Sequence, residues 1–466
     1  MNDDIQQEPS SFRDPSGFLF EKNGELFRQV NHSYKNQYDK LMNSGLYEKL
    51  LEENFLLPHK EIDMDSPKSD LCYKIIKPQK IPFISYPYEW SFSQLKDAAL
   101  CTLEIQKIAM DFGMTLKDGT SYNIQFYNGK PILIDSLSFE IYEDGDVWRP
   151  YQQFCQHFLA PLSLMTHQDI RCNRLLSIFL NGLPLDFTSK LLPFSTKTSF
   201  GLMSHIHLHA KSQKKHESDR EMKKPTMKKL SLIGLIDNLH TTVEKFSWSP
   251  KDTEWGNYYS DTNYSDSAFS QKREILSNFL EKYQPQEIWD LGGNDGTFSR
   301  LASDKEIPTI SFDIDPAAIE KSYLKLKETK EKNILPLVLD ITNPSPGIGW
   351  ENNERKSFIS RGPTDSVFAL ALIHHLAISN NLPLEKISSF FSKICNNLVI
   401  EFVPKSDSQV QRLLSTRIDI YENYSQDNFE KTFSKDFELV ENFSINESER
   451  TIYIMKNKIQ AYSNEF

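Results

Sequence analysis

Alternating apolar and polar positions in the first half of the chain predict hairpins joined to helices. Residues 17–30, GFLFEKNGELFRQV, form two alternating runs around Asn23-Gly24, and residues 122–139 repeat the pattern around Asn128-Gly129. These dipeptides are strong signals of a tight hairpin turn. Apolar residues at helical spacing predict helices over 34–55, 91–112 and much of 148–210, and the runs YKIIK and PFISYPYEW predict strands. We therefore predict a disordered tail over 1–16 and an α+β domain over 17–210.

In the second half, short apolar runs alternate with helical segments. The runs EIWDL, TISFDID, LPLVLDI, SVFALALI and NLVIEFV are apolar almost throughout, which favours parallel strands buried on both faces. The last two runs, FELVENF and RTIYIM, fit antiparallel edge strands. The pattern predicts a doubly wound, mostly parallel α/β sheet over 236–466. Residues 211–235 are dense in charge and predict a solvated linker or, alternatively, a docking patch for an anionic partner.

Composition narrows the class of protein. The 466 residues are 39% hydrophobic, which suits two or three domains with sizeable cores. A formal net charge of -11 argues against a general nucleic-acid binder. The five cysteines include no CxxC pair, which indicates reduced thiols and no zinc site. The polar, acidic start is unlike a signal peptide, and no apolar run approaches the ~18 residues that would span a bilayer, so we expect a cytoplasmic protein.

The stretch IWDLGGNDGTFSRL, residues 288–301, is typical of a strand that turns into a helix against a ligand. Glycine adopts positive φ and lets a ligand come close, which suits Gly292, Gly293 and Gly296. Asparagine is among the few other residues that enter the left-handed region cheaply, so Asn294 preserves the turn. Asp295 offers a carboxylate or a cap for the helix.

Acidic residues follow the strands at the edge where this turn lies. Asp290 ends the first strand, Asp313 ends the second, and Asp340 ends the third, before Ile341. An acid at the end of the second strand can accept hydrogen bonds from ribose hydroxyls. The phosphate-loop pattern GxxxxGK[ST] is absent, and the glycine spacing differs from the dinucleotide pattern GxGxxG.

Residues 236–466 resemble class I S-adenosylmethionine-dependent methyltransferases. The motifs that carry the resemblance are WDLGGNDGTFSRLA, SFDIDPAAIE, VLDITNP, DSVFALALIHHLAI and NLVIEFVP, in the family's order. The resemblance implies S-adenosylmethionine as cofactor. It implies that the methionine part is held by Asp290 and the turn of residues 292–296, the ribose by Asp313, and the adenine by Asp340 and Ile341. The stretches TNPSPGIGW and EFVPKSD more remotely resemble a bacterial methyltransferase group related to a nodulation protein, which implies no particular substrate.

Three further groups of residues are candidates for the methyl acceptor's side of the site. His374 and His375 follow the fourth strand, and histidine suits a general base because its pKa lies near working pH; one of the two is expected to face the pocket and the other to pack. Glu401 ends the fifth strand and is either a second base or a salt-bridge partner of Lys405 or Arg412. Tyr259 and Tyr264 form either a lid or ordinary helix packing.

The first half of the chain also resembles the catalytic core of protein kinases. Asp118, Asn123 and Asp135 have the spacing of the acid that orients the acceptor hydroxyl and the two residues that hold magnesium. Arg28 stands at the family's lysine position, and Glu48 is its expected partner. The glycine-rich loop is missing, Leu116 replaces a histidine, and Asp135 is followed by Ser-Leu. The alternatives are a kinase-like domain without activity, an active phosphotransferase, or a hairpin with solvent-facing acids.

The favoured hypothesis is a methyltransferase whose first domain binds substrate or regulates. The alternatives are a kinase-like phosphotransferase and a non-catalytic protein that binds the cofactor as a sensor. A metal site is not expected: His205 and His209 share a helix face, but His207 points elsewhere. The sequence leaves open whether the acceptor is a small molecule, a glycan or a protein, and it leaves the oligomeric state open.

Overall fold

The computed structural model describes residues 5–209, 226–250, 265–415 and 417–458. The chain divides into two compact units, Met1–Ser249 with Ile348–Arg355, and Pro250–Gly347 with Lys356–Phe466. No helix among the described residues combines the length and the apolar character needed to cross a membrane.

The first unit contains a five-stranded antiparallel sheet in the order β1-β2-β3-β5-β4, and two further strand pairs, β6-β9 and β7-β8. Its strands are β1 (Ile5–Gln7), β2 (Gly17–Lys22), β3 (Glu25–Asn31), β4 (His59–Ile62), β5 (Cys72–Pro78), β6 (Met114–Leu116), β7 (Ile124–Tyr127), β8 (Lys130–Leu133) and β9 (Phe139–Ile141). Its helices are α1 (Lys35–Asn43), α2 (Leu46–Glu52), α3 (Phe92–Asp111), α4 (Tyr151–Phe154), α5 (Ala160–His167), α6 (Leu185–Leu191), α7 (Phe200–Leu202) and α8 (Lys229–Glu244).

Both predicted hairpins are confirmed, because Asn23 and Gly24 have φ of 53° and 76°, and Asn128 and Gly129 have φ of 50° and 74°. Three predictions need correction. The tail expected to be disordered over 1–16 contains β1, which pairs antiparallel with β2. The helix expected over 34–55 breaks at Gly45, whose φ is 87°. The stretch PFISYPYEW forms a short 3-10 turn, Pro87–Glu89, instead of a strand, since its two prolines have no N–H for a sheet.

Helix α8 begins inside the segment that the charge pattern predicted to be a linker. Its buried residues are Leu232, Ile236, Leu239, Thr242 and Val243, and it packs on α3. Asp237 pairs with Lys107 of α3 at 3.0 Å. The apolar face of this helix therefore places 229–244 in the first unit, whereas the sequence placed the start of the second domain at residue 236. The segment Ile348–Arg355 also lies in the first unit, where the Arg355 guanidinium is 4.2 Å from the centre of the Tyr122 ring.

The second unit is a doubly wound α/β domain of the Rossmann-like kind. Its sheet has the order β12-β11-β10-β13-β14-β16-β15, in which only β16 runs against its neighbours. The strands are β10 (Ile288–Leu291), β11 (Thr309–Asp313), β12 (Ile334–Val338), β13 (Thr364–Ala369), β14 (Cys395–Phe402), β15 (Phe437–Ser444) and β16 (Thr451–Asn457). The helices are α9 (Asp266–Tyr283), α10 (Ser299–Ser303), α11 (Pro316–Thr329), α12 (Leu384–Ile394), α13 (Ser408–Leu414) and α14 (Gln426–Phe433).

The strand order reverses between β10 and β13. From β10 the chain adds β11 and β12 on one side, and it then returns to add β13 and β14 on the other. The apolar face of α9 covers the sheet here, with Leu276 and Phe279 packed against Phe368 and Val399. In open α/β sheets a crevice forms at the carboxyl ends of the strands where the order reverses. The glycine turn after β10 lies at this point.

Candidate functional site

The glycine turn has the left-handed conformation that its sequence predicted. Gly292, Asn294 and Gly296 have φ of 77°, 51° and 80°. The backbone N–H groups of Gly292 and Gly293 both donate to Phe312 O at 2.9 Å, which ties the turn to β11. Asp295 Oδ1 accepts from Thr297 N at 3.1 Å within the turn. The residue that precedes α10 is Phe298, and the helix has no side-chain cap, so the interpretation of Asp295 as a cap needs correction.

Only glycine fits at position 293, because no space is left there for a side chain. A Cβ atom on this residue would lie 2.5 Å from Ser311 Oγ and 3.0 Å from Asp290 Oδ2. These separations are shorter than real Cβ contacts, so any side chain would push the turn away from the sheet. The close approach explains a glycine whose own φ is not in the left-handed range.

Asp290 supports the turn from beneath. Only 1% of its surface is exposed, and its Oδ2 accepts from Ser299 Oγ at 2.6 Å. Burial raises the pKa of this carboxyl to about 6. The prediction that Asp290 contacts the ligand directly therefore needs correction, because its side chain holds α10 against the sheet.

Asp313 lies beside the turn at the end of β11. Its Oδ2 accepts from Asn294 N and its Oδ1 from Asp315 N, both at 2.9 Å. Burial raises its pKa to about 6, and these backbone hydrogen bonds oppose that rise. A carboxylate has about four acceptor positions, and backbone N–H groups of Asn294, Asp315 and Ile314 are directed at this one, so capacity for about one further donor remains.

Ile314 is the residue beside this acid that sequence reasoning missed. It is 51% exposed although it lies between the buried Asp313 and Asp315. Asp315 caps α11 by accepting from Ala317 N at 2.8 Å with Oδ1, while its Oδ2 is buried and has no hydrogen-bond partner in the part of the chain that the structure describes. The signal in the sequence is an apolar residue between two acids where a buried strand ends. The site thus offers an apolar surface next to hydrogen-bond acceptors.

Asp340 and Ile341 follow β12 and lie close to the end of β11. Leu339 N donates to Asp313 O at 2.8 Å, which brings the two strand ends together. Asp340 Oδ1 accepts from Thr342 N at 2.9 Å and from Thr342 Oγ1 at 2.6 Å, so this oxygen closes a local turn. Ile341 is partly buried. The structure thus gathers the ends of β10, β11 and β12, as the sequence predicted.

The two histidines after β13 have different environments. His374 is 2% exposed and its Nδ1 has no hydrogen-bond partner among the described residues, whereas His375 is partly buried. Their rings are 4.1 Å apart. Burial lowers the pKa of His375 to about 4 and lowers the pKa of His374 well below its usual value. Both rings are therefore neutral at pH 7.

Glu401 is fully buried and its partners differ from those predicted. Its Oε2 accepts from Lys272 Nζ and from Ala371 N, both at 2.8 Å, and its Oε1 lies 3.8 Å from Arg450 Nη1. Lys405 instead pairs with Asp419 at 2.8 Å. A carboxylate with 0% exposure that is held by two cations is not available as a proton acceptor for a substrate, which corrects its prediction as a catalytic base.

A hollow of about 210 Å³ lies at the carboxyl edge of the same sheet. Phe402 at the end of β14 pairs with Thr451 at the start of β16, and the hollow is formed by the residues that follow and precede them. It is lined by Ala268, Ser406, Asp407, Glu447, Ser448, Glu449 and Arg450. The predicted lid residues Tyr259 and Tyr264 lie outside the described residues.

In the first unit, the three residues with kinase-like spacing come together. Asn123 Nδ2 donates to Asp118 Oδ2 at 3.1 Å. Asp135 Oδ1 is 2.7 Å from Arg28 Nη1. Burial is the main cause of the raised pKa of Asp118, and the negative charge of Asp135 adds to it. These acids are partly buried, so they are not the solvent-facing acids of the simplest alternative. Glu48 is exposed and does not pair with Arg28, which corrects that expectation.

His205 and His207 have structural roles. His205 bonds to Tyr151 Oη and Asn238 Oδ1, each at 2.7 Å. His207 bonds to Ser189 Oγ at 2.8 Å and to Thr196 Oγ1 at 2.9 Å. Both are buried, whereas the sequence interpretation was a partly exposed helix. Their ring nitrogens are used to join helices.

Comparison with known proteins gives one extensive relative. No family model matches the chain. The chain is 33% identical over 452 residues to nodulation protein NoeA of Rhizobium meliloti (strain 1021), and the match covers 95% of this chain and 94% of that protein.

Two solved structures that resemble the chain each match less than half of it. N-methyltransferase NodS from Bradyrhizobium japonicum WM9 matches at 14% identity and a TM-score of 0.30, over 42% of this chain and 99% of that one. Magnesium protoporphyrin IX methyltransferase from Synechocystis PCC 6803, with bound SAH, matches at 14% identity and a TM-score of 0.32, over 44% and 93%. The NoeA alignment, by contrast, spans nearly all of both chains. The chain therefore belongs to the family of nodulation protein NoeA.

Proposed function

We propose that the second unit binds S-adenosylmethionine and transfers its methyl group to an acceptor molecule. The observation that carries the proposal is the left-handed glycine turn at the reversal of strand order, tied through Asn294 to the buried carboxylate of Asp313. Ligands of doubly wound sheets bind at this position. The five sequence motifs that resemble class I methyltransferases lie on the strands and turns around it.

The residues present fit this cofactor. Gly293 lets the turn pack closely on Ser311 and Asp290, and the glycines of the turn leave its backbone free of side chains where a ligand would approach. Asp313 has acceptor capacity for ribose hydroxyls, and the exposed Ile314 suits the face of an adenine ring. Asp340, whose Oδ1 is used in a turn, would accept from the adenine amine with its Oδ2.

When bound, this cofactor supplies a methyl group already activated by its sulfonium. The chain then has to orient the acceptor in line with that group and exclude water. The buried Nδ1 of His374, which no described residue hydrogen-bonds, would contact the acceptor atom, and the neutral state of both histidines leaves a nitrogen lone pair for this contact. Tyr259 and Tyr264 remain the proposed lid.

The first unit is proposed to bind substrate or to regulate, not to transfer phosphate. In the kinase-like arrangement Asp135 would hold magnesium. Here the Arg28 guanidinium lies 2.7 Å from that carboxylate and neutralises it. This pairing favours a binding or regulatory role of the first unit over the phosphotransferase alternative.

Titration calorimetry with S-adenosylmethionine tests the proposal. We expect the parent to bind and Asp313→Ala to lose at least about tenfold in affinity, because the ribose hydroxyls lose a charged acceptor. The matched control is Asp304→Ala, which changes an exposed acid of the same unit after α10. Absence of binding by the parent, or equal binding by Asp313→Ala, would contradict the proposal. Incorporation of a labelled methyl group into a cell extract separates an enzyme from a cofactor-binding sensor.

A further inference from the structure

Glu401 joins three separate parts of the second unit. Lys272 on α9 and Arg450 next to β16 supply two buried cations, and the loop after β13 supplies the Ala371 N–H. Lys272 and Arg450 are 1% and 2% exposed. Buried charges persist in proteins only when they are paired and hydrogen-bonded. Arg450 has a second partner, since its Nε is 2.7 Å from Asp407 Oδ2.

Ala371 has a backbone conformation that needs external support. Its φ is 48°, in the left-handed region that alanine rarely adopts. Residues in such conformations are strained and persist when their surroundings determine them. The hydrogen bond from Ala371 N to Glu401 Oε2, at 2.8 Å, is the contact that holds the backbone there.

The loop held in this way forms one wall of the glycine turn. A Cβ atom on Gly292 would lie 3.3 Å from Leu372 Cδ1, so Leu372 packs directly against the turn. His374 follows two residues later. A change in the backbone at Ala371 would therefore move both the wall beside Gly292 and the histidine proposed to meet the acceptor.

We infer that Glu401 is a positioning residue, which shapes the cofactor site through the Ala371 N–H and does not itself take a proton. The inference rests on the proposed function for its effect on cofactor binding. Its structural part, the support of residues 370–375 by one carboxylate oxygen, is independent of the cofactor's identity.

Two double variants isolate the hydrogen bond from the buried charge. Lys272→Met with Glu401→Gln removes the ion pair but keeps an oxygen that can accept from Ala371 N. Lys272→Met with Glu401→Met removes the ion pair and the acceptor at nearly the same volume. Arg450 retains Asp407 in both, so neither leaves an isolated buried cation. Thermal unfolding curves of both variants identify a temperature at which each is folded, and binding and exchange are measured at that temperature.

We expect the Gln variant to bind S-adenosylmethionine within about threefold of the parent and the Met variant at least about tenfold more weakly, as the loss of one buried hydrogen bond implies. We also expect hydrogen exchange of the Ala371 amide to be faster in the Met variant by a similar factor. Equal affinities and equal exchange in the two variants would overturn the inference. If the parent binds no cofactor, the proposed function fails, and the exchange of Ala371 still decides the positioning role.

Discussion

Buried acids at the ends of β10 and β11 give the site its electrostatic character at the scale of single residues. Asp290 and Asp313 are each almost fully buried, and burial raises the pKa of both to about 6. Asp290 binds the Ser299 hydroxyl, whereas Asp313 binds backbone N–H groups and borders the exposed Ile314. Two acids with similar pKa thus have different tasks, because one faces the helix and the other faces the crevice.

The raised pKa of Asp313 predicts how stability depends on pH. The folded state holds the proton up to about pH 6, whereas the unfolded chain releases it near its ordinary pKa of 3.8. The folded state therefore binds more protons between these values, and its stability falls as pH rises from about 4 to 6. Asp313→Asn removes this pH dependence of stability, because an amide does not titrate in this range. We expect the variant to gain, relative to the parent, up to about 3 kcal/mol between pH 4 and pH 7.

Urea unfolding of the second unit at a series of pH values measures this difference. Asp290 titrates in the same range, and the charge of Asp313 helps to raise its pKa, so in Asp313→Asn the pKa of Asp290 falls and adds to the measured difference in the same direction. A difference between parent and variant that stays constant from pH 4 to pH 7 would show that Asp313 is not buried as the structure has it.

At the scale of elements, turn chemistry and helix faces decide the local architecture. The left-handed residues Asn23, Asn128 and Asn294 each lie where a strand meets a turn. Asparagine tolerates this conformation, and so the sequence alone indicated all three. Helix α8 is different, because the charged residues before it masked an apolar face that packs on α3.

Helix α8 offers a direct test of its assignment to the first unit. Leu239 is 0% exposed and Leu230, on the same helix, is 81% exposed. We expect Leu239→Ala to destabilise the protein by about 2–4 kcal/mol, because it removes buried contacts and leaves a cavity. The matched change Leu230→Ala is expected to stay within about 0.5 kcal/mol. Chemical denaturation measures both, and similar values for the two would mean that the helix is not packed as described.

At the scale of the whole molecule, the two units contain two clusters of acids that the sequence presented as possible chemical sites. In the second unit, Asp313 has no cation paired with its side chain among the described residues and borders an apolar surface. In the first, Asp135 is paired with Arg28 at 2.7 Å. The proposed chemistry is therefore assigned to the second unit alone.

Magnesium binding distinguishes these roles. We expect magnesium ions to leave the thermal midpoint of the parent unchanged, because the Arg28 guanidinium neutralises Asp135. Arg28→Met leaves a largely buried carboxylate without its cation and is expected to destabilise by about 3 kcal/mol. Thermal scans with magnesium or with sodium at equal ionic strength test both proteins. A higher thermal midpoint of the parent in magnesium than in sodium would support the phosphotransferase alternative.

The sequence by itself determined the alternation of strands and helices in the second unit, the glycine turn, and the grouping of Asp313 and Asp340 at one sheet edge. These features follow from periodicity and turn propensity, which act over a few residues. The tertiary structure alone decided which acids are open to a ligand. Lys272 and Glu401 are 129 residues apart in sequence, and Arg28 and Asp135 are far apart as well. Such pairs form only when distant segments pack together, and so no local sequence pattern predicts them.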